Sequence, residues 1–353
     1  MIVADKTVVI DGRIVGDAAP VLIIAEAGVN HNGDPGLALE LIHAAKECGA
    51  DCVKFQTFRA DRLVTAHSPK AQYQLETTQR SESQFEMLKK LELDVSAFAR
   101  LAEACRKADI TFLSTPYDVE DIDLLESLGA PAYKIASALS VEPLLLERTA
   151  ATGKPVLLST GMCTLDECFV AVDTLRSAGC DDIVALQCTT DYPSRLEDAN
   201  LRAIAGLREA LDVPVGYSDH THGLTATIAA VALGACAIER HFTLDRSLPG
   251  PDHSASSDPA EMRELVGKVR DVERALGSTL KSPTERELLN KTQMRRGIVA
   301  ARNLPENRAL ELNDLAFKRP LEGVSPDRFR DLIGRRLKRA IERDKPITWE
   351  DVA

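Results

Sequence analysis

Two histidines are placed to share an ion. His220 closely follows the apolar run Val213–Tyr217, and His241 ends the run Cys236–His241. Neighbouring strands lie about 4.8 Å apart, so two imidazoles at adjacent strand ends can meet one cation. With no cysteine beside them, and with water or substrate oxygens completing the shell, they suit Mn²⁺, Mg²⁺ or Co²⁺ better than structural zinc. Asp219 either orients His220 or caps the next helix. Lys54 and Lys134 sit inside apolar runs, where an ammonium needs an anion: a ligand or an internal ion pair. Thr115, Ser137, Ser159 and Ser218 stand at comparable run ends, so together these groups read as a cradle for phosphate and carboxylate. Glu26 follows the first run. It is a candidate base for a metal-held water, or a carboxylate bonded to barrel amides. Asp252, in Gly250-Pro251-Asp252-His253, either faces a polyol or sits in an ordinary turn. No Walker sequence and no GxGxxG occurs, so a nucleotide is not suggested.

The elements that must carry these residues are regular. Eight short apolar runs recur: Val21–Ala25, Cys52–Phe55, Thr111–Ser114, Ala132–Ala136, Pro155–Ser159, Ile183–Cys188, Val213–Tyr217 and Cys236–His241. Continuous rather than alternating apolar character predicts strands buried on both faces. Amphipathic stretches separate them, at Pro35–Cys48, Val95–Ala108, Val119–Leu128, Leu165–Ala178, Leu201–Leu211 and Leu224–Leu233. Several stop at a glycine just before the next run. The expectation is an α/β fold, a closed (β/α)8 TIM barrel, whose chemistry lies where strands end. Thr7–Val15, with Asp11-Gly12 at its centre, predicts a hairpin plugging the far end. Arg59–Leu93 is a polar excursion, read as a substrate cover or a surface insertion. The domain reading is 1–276 barrel with hairpin, 277–293 a linker with a short helix, and 294–353 a small β-rich domain.

Composition sets outer bounds. The 353 residues exceed one ordinary core and fit a barrel plus a small domain. A net charge of −11 argues against nucleic-acid or anionic-membrane partners, and 4% aromatic residues give no base-stacking platform. The eight cysteines form no CxxC pair, and the start has no apolar signal core. The expectation is a cytoplasmic protein with reduced thiols.

The motifs, taken together, resemble the sialic acid synthase family, in its bacterial N-acetylneuraminate and legionaminate branch. They are Ile24-Ala25-Glu26-Ala27-Gly28-Val29-Asn30-His31-Asn32-Gly33, Lys54-Phe55-Gln56, Ser114-Thr115-Pro116, Lys134-Ile135-Ala136-Ser137, Ser159-Thr160-Gly161-Met162, Gly216-Tyr217-Ser218-Asp219-His220-Thr221, Glu239–Thr243 and Gly250–His253. The stretch from Arg295 to Gly334 resembles the family's antifreeze-like (SAF) domain. The resemblance implies that phosphoenolpyruvate condenses with N-acetylmannosamine or a relative to give a nine-carbon sugar acid. It implies that His220 and His241 hold Mn²⁺, which polarises the sugar aldehyde for attack by C3 of phosphoenolpyruvate. Water then adds at C2 with help from Glu26, and phosphate leaves by C–O cleavage. Lys54, Thr115, Lys134, Ser137, Ser159 and Ser218 would bind phosphoenolpyruvate. Gln56, Tyr192 and Asp252 would meet the sugar, and Arg319 would reach a neighbouring subunit's site in a domain-swapped homodimer. Gln187 and Ala138 stand where many relatives carry histidine and glycine, and are expected to bear on sugar specificity. The choice between N-acetylmannosamine, its 6-phosphate and a 2,4-diacetamido-trideoxy sugar stays open. So do another metal-dependent barrel enzyme and a sugar-binding protein that has kept the fold. The charged C-terminal part argues against an ice-binding face.

Overall fold

A computed structural model describes residues 6–79 and 81–353, without the Glu76 side chain. Residues 1–5 of the expected first domain, and Arg80 of the excursion, lie outside the described residues. The chain divides into two compact units, the first ending at Gly277 and the second spanning Ser278–Ala353.

The first unit opens with the expected hairpin, β1 (Thr7–Ile10) and β2 (Arg13–Gly16), paired antiparallel. Asp11 and Gly12 both take positive φ, which a tight two-residue turn requires. Then come β3 (Leu22–Gly28), α1 (Pro35–Glu47) and β4 (Cys52–Thr57). Three helices fill the excursion: α2 (Ala60–Leu63), α3 (Gln72–Thr77) and α4 (Gln84–Leu91). The alternation resumes with α5 (Val95–Ala108), β5 (Thr111–Pro116), α6 (Val119–Ser127), β6 (Tyr133–Ile135) and α7 (Pro143–Ala150). It finishes with β7 (Val156–Ser159), α8 (Leu165–Ser177), β8 (Ile183–Cys188), α9 (Ala203–Leu211), β9 (Val215–Asp219), α10 (Thr225–Ala232), β10 (Ala237–His241) and α11 (Pro259–Leu276).

Strands β3 to β10 form one parallel sheet in the order β5-β4-β3-β10-β9-β8-β7-β6, and its ends β5 and β6 lie against each other. The result is the eight-stranded barrel that the run pattern predicts. Each of the eight expected strands is present, and α1, α6, α8 and α10 end two residues before their glycines. Two helices of the regular cycle, α11 and α7, have no counterpart among the predicted stretches, and α7 shows why. Its consecutive leucines at 144–146 blur the helical period, and Leu144 is left exposed.

Side chains alternate across the strands. Odd positions of β3 face the helices, where Ile23 and Ala25 join the large outer core with Val53, Phe55 and Leu158. Even positions face inward. Leu22, Ile24, Leu113, Leu157 and Val184 pack inside, and hairpin residues Val8, Ile10 and Val15 join them. That apolar plug closes the N-terminal end of the barrel, so the inward polar residues at the opposite end have a dry floor beneath them.

The second unit holds α12 (Glu285–Met294), the antiparallel pair β11 (Gly297–Ala300) and β12 (Leu315–Lys318), and α13 (Phe329–Leu332). Ile298, Leu304, Leu310, Leu332, Leu337 and Ile347 build its own core. Most of the stretch expected to link the domains belongs to this unit and is partly helical. Among the described residues no helix is long and apolar enough to cross a membrane.

Candidate active site

A cavity of 140 Å³ opens at the C-terminal ends of the barrel strands. A larger cleft of 510 Å³ lies around the hairpin turn at 11–13, but the titratable groups converge on the smaller one. Glu26, Lys54, Gln56, Thr115, Lys134, Ser137, Ser159, Tyr192, Ser218, His220 and His241 all line it. Asp252 approaches from the loop after β10, its Oδ2 3.8 Å from Nδ1 of His241. Arg319 lies in the second unit.

The charged floor is built by alternation. Lys54 Nζ stands 2.7 Å from Glu26 Oε2 and 3.8 Å from Glu239 Oε2, and donates to Thr115 Oγ1 at 3.1 Å. Lys134 Nζ donates to Ser159 Oγ at 2.7 Å and lies 3.6 Å from Glu239 Oε1. Ser218 Oγ donates to the same carboxylate at 3.0 Å. The two buried lysines therefore have internal carboxylate partners, and burial alone does not demand a ligand. Burial works against the Lys54 charge, yet Glu239 and Glu26 outweigh it and raise its pKa. Lys134 is pushed below its usual value, chiefly by burial and despite Glu239. For Glu26, burial raises the carboxyl above the usual range and Glu239 adds to it, against the pull of Lys54.

The Glu26 carboxylate partners the side chains of Lys54 and Gln56 and, among the described residues, no backbone amide. Its Oε1 accepts from the Gln56 side-chain amide at 2.9 Å, and Tyr117 donates to the same amide's oxygen at 3.4 Å. Alternation turns the carboxylate inward, and just after it the register of β3 shifts between Glu26 and Gly28, an irregularity of the kind that recurs beside active sites. A Cβ on Gly28 would sit 3.2 Å from Glu26 Oε1. Gly161 is tighter still: a Cβ there would lie 2.3 Å from Thr190 Oγ1 and 2.8 Å from Ser137 Oγ, and its own N–H donates to Ser137 Oγ at 2.9 Å.

His220 and His241 meet with ring centroids 5.4 Å apart. Nδ1 of His220 lies 2.7 Å from the Thr189 carbonyl, which can only accept. That nitrogen therefore carries the proton and Nε2 keeps its lone pair. Nδ1 of His241 is buried without a hydrogen-bond partner. Burial holds both imidazoles below their usual pKa, and for His241 His220 adds to the effect. Two neutral rings with a free lone pair and an orphaned nitrogen fit a divalent ion. Among the described residues no group of three or more His, Cys, Asp or Glu is arranged to hold a metal ion, so such an ion would need water or substrate oxygens as well.

Asp219 caps no helix, and it makes no hydrogen bond to the His220 ring, whose Nδ1 bonds the Thr189 carbonyl. It turns to the helix side of β9 and pairs with Arg240 Nη1 at 2.7 Å. Gln187 likewise faces away from the cavity, its amide donating to the Ala199 carbonyl at 3.2 Å, because only Leu186 and Cys188 point inward at that strand end. It cannot read the sugar directly. Ala138 does line the cavity. Asp252 is buried, and burial followed by Glu26 raises its carboxyl to about 7.

Two contributors had gone unassigned. Glu239 shares a face with His241, two residues on, so strand periodicity alone could have found it. Tyr73, on α3, packs at a tilt with its ring centroid 5.1 Å from that of Tyr192, which lies 4.3 Å from His220 and 5.5 Å from His241. No sequence signal marks Tyr73, because the excursion has no regular period. The excursion folds around Lys70, which donates to Thr78, Gln79 and Glu82, and Thr77 reaches the Pro251 carbonyl at 3.2 Å. It thus extends over the cavity instead of lying on a remote surface.

Residues 41–281 match the NeuB family and residues 295–353 the SAF domain. The chain is 44% identical to the N,N'-diacetyllegionaminic acid synthase of Legionella pneumophila, over 96% of each chain. It is 42% identical to the enzyme of that name from Campylobacter jejuni, over 92% of this chain and 98% of that one. Among solved structures, the N-acetylneuraminic acid synthetase of Leptospira borgpetersenii superposes with a TM-score of 0.72 at 33% identity, covering 81% of this chain and 95% of its own.

Proposed function

The chain belongs to the NeuB family of sugar-acid synthases, and from that premise we propose that it condenses phosphoenolpyruvate with a free N-acetylmannosamine-type sugar, releasing phosphate. The observation that carries this reading is the pairing of Lys54 and Lys134 with Glu26 and Glu239 beneath two neutral imidazoles. An anion entering this floor competes with Glu26 and Glu239 for the lysines. The Thr115, Ser137, Ser159 and Ser218 hydroxyls then receive its phosphate and carboxylate oxygens, in a site where burial strengthens each contact. His220 and His241 are the residues that would hold Mn²⁺, Mg²⁺ or Co²⁺. Such an ion supplies Lewis-acid polarisation of the sugar's aldehyde oxygen.

C3 of phosphoenolpyruvate forms the new C–C bond, and C2 then takes up water as its bond to the phosphate oxygen breaks. Glu26 is placed to remove the water's proton, and its raised pKa makes it a better acceptor near neutrality. Gln56 holds that carboxylate in orientation. Tyr192 and Asp252 border the sugar's side of the cavity.

The sugar favoured is the 2,4-diacetamido-trideoxy one of the legionaminic product. Identities of 44 and 42% to synthases of that name support it, against 33% to the sialic acid synthetase. Among the described residues the cavity lining offers no lysine or arginine besides Lys54 and Lys134, which this reading assigns to phosphoenolpyruvate, so it supplies no further ammonium or guanidinium for a sugar 6-phosphate. The same reading has the chain act in the cytoplasm as a homodimer, with Arg319 serving the partner copy's sugar. Mass analysis of products from phosphoenolpyruvate and each of the three sugars, offered singly, tests the assignment. A diacetamido nonulosonic acid as the main product supports it, and preference for N-acetylmannosamine or its 6-phosphate replaces it.

A further inference from the structure

The β9–β10 ladder stops one residue before it reaches the histidine pair. Its last partners are Arg240 and Asp219, and β9 ends at Asp219, so His220 lies beyond the final paired residue. With no β9–β10 pairing at this level, the distance between the two imidazoles is not set by that ladder. Backbone pairing does hold each histidine to its other neighbour, His241 to Glu26 of β3 and the His220 carbonyl to the Ser194 N–H at 2.8 Å, but it does not join the two to each other.

Arg240 occupies that place. Its side chain is 4% exposed and lies on the helix side of the barrel, behind the cavity. Nη1 donates to Asp219 Oδ2 at 2.7 Å, just before His220 in the chain. Nη2 donates to the Thr221 carbonyl at 2.9 Å, just after it. Nε donates to Ser257 Oγ at 2.7 Å, and the Ser257 N–H donates to the His241 carbonyl at 2.8 Å. One planar fork therefore grips the chain on both sides of His220 and ties it to the residue that holds His241. Asp219 is fully engaged in return, accepting also from the Thr221 N–H at 2.8 Å and from Thr227 Oγ1 at 2.6 Å.

We propose that Arg240, through Asp219, is the positioning residue of the histidine pair and sets its affinity for a divalent ion. The proposal rests on the reading of His220 and His241 as an ion site. A fully satisfied buried network specifies one geometry, and the guanidinium's fixed fork reaches partners that an ammonium cannot reach together.

The test compares wild-type protein with Arg240→Met/Asp219→Asn, which removes both charges at once, and with Arg240→Lys, which keeps the charge and loses the fork. Mn²⁺ binding is titrated by electron paramagnetic resonance without substrates, on protein shown folded by circular dichroism. Imidazole ¹⁵N spectra are recorded in parallel without metal. The expected result is Mn²⁺ binding at least tenfold weaker in the double variant and at least threefold weaker in Arg240→Lys. Loss of the slowly exchanging His220 Nδ1–H signal should accompany it, with phosphoenolpyruvate affinity changed less than threefold. A folded variant, either one, that binds Mn²⁺ within twofold of wild type and keeps both imidazole signatures overturns the proposal. Wild-type protein that binds no Mn²⁺ would reject the ion site itself, and the imidazole spectra still decide whether Arg240 sets the geometry.

Discussion

Lys54 Nζ and Glu26 Oε2 stand 2.7 Å apart, with side chains only 3% and 2% exposed. The pair explains how a barrel can keep lysines in its interior without a ligand. Glu26 and Glu239 neutralise Lys54 and Lys134 until an anion arrives, and the arriving anion frees Glu26 from its ammonium partner. On the proposed function, binding of phosphoenolpyruvate and availability of the base would thereby be linked through one contact.

Glu26→Gln tests the base. The amide keeps the size and the neighbouring Gln56 but cannot take a proton. Phosphoenolpyruvate should bind at least as tightly, since a competing carboxylate is gone, while kcat falls by about 10²–10⁴-fold. Steady-state kinetics with equilibrium dialysis of phosphoenolpyruvate separates the two effects. Binding lost in parallel with turnover would make Glu26 a structural carboxylate.

Glu239→Gln tests the partner. It leaves Lys54 with one carboxylate and Lys134 with none. Breaking a buried pair costs about 3–5 kcal/mol. Tm should drop, and saturating phosphoenolpyruvate should restore part of it, because a ligand that binds only the folded state stabilises it. Thermal unfolding with and without phosphoenolpyruvate reads this directly. An unchanged Tm would mean that the lysines do not depend on Glu239.

The pH profile follows from Glu26. Its pKa is raised above 4.5, and the working form is the carboxylate. Activity is therefore present above that raised pKa and lost as pH falls through it. The acid limb of kcat/KM should fall above pH 4.5 and stay in place when Mn²⁺ is increased tenfold. A limb that moves with Mn²⁺ would belong to protonation of metal ligands instead.

Tyr73→Ala tests the cover formed by α2 to α4. Tyr73 backs Tyr192, and Tyr192 sits against both histidine rings. Removing it should raise the sugar KM several-fold and leave the phosphoenolpyruvate KM within twofold. Equal changes in both would show that the tyrosine only supports the barrel.

Much of this was legible from the chain. Buried parallel strands announce themselves as continuous apolar runs, so the barrel and its polar end could be read off, and Glu26, Lys54, His220 and His241 do converge. What the runs could not show was the inner ion pairing: a strand tells which face a lysine takes, not which carboxylate from another strand meets it. That Asp219 and Gln187 turn away from the cavity was hidden for a related reason. Each sits one position out of phase with the inward residues, and a one-residue phase error puts a side chain on the opposite face. The excursion stayed ambiguous because short irregular helices lack a period, and its place over the cavity depends on contacts such as Thr77 to Pro251.

The most direct test measures phosphate release from phosphoenolpyruvate by Mn²⁺-loaded protein, with and without the diacetamido sugar, in wild type and in His220→Ala. The account predicts release that requires the sugar, stops with EDTA and is absent from the variant. Release without sugar, or undiminished release by His220→Ala in EDTA, would contradict it.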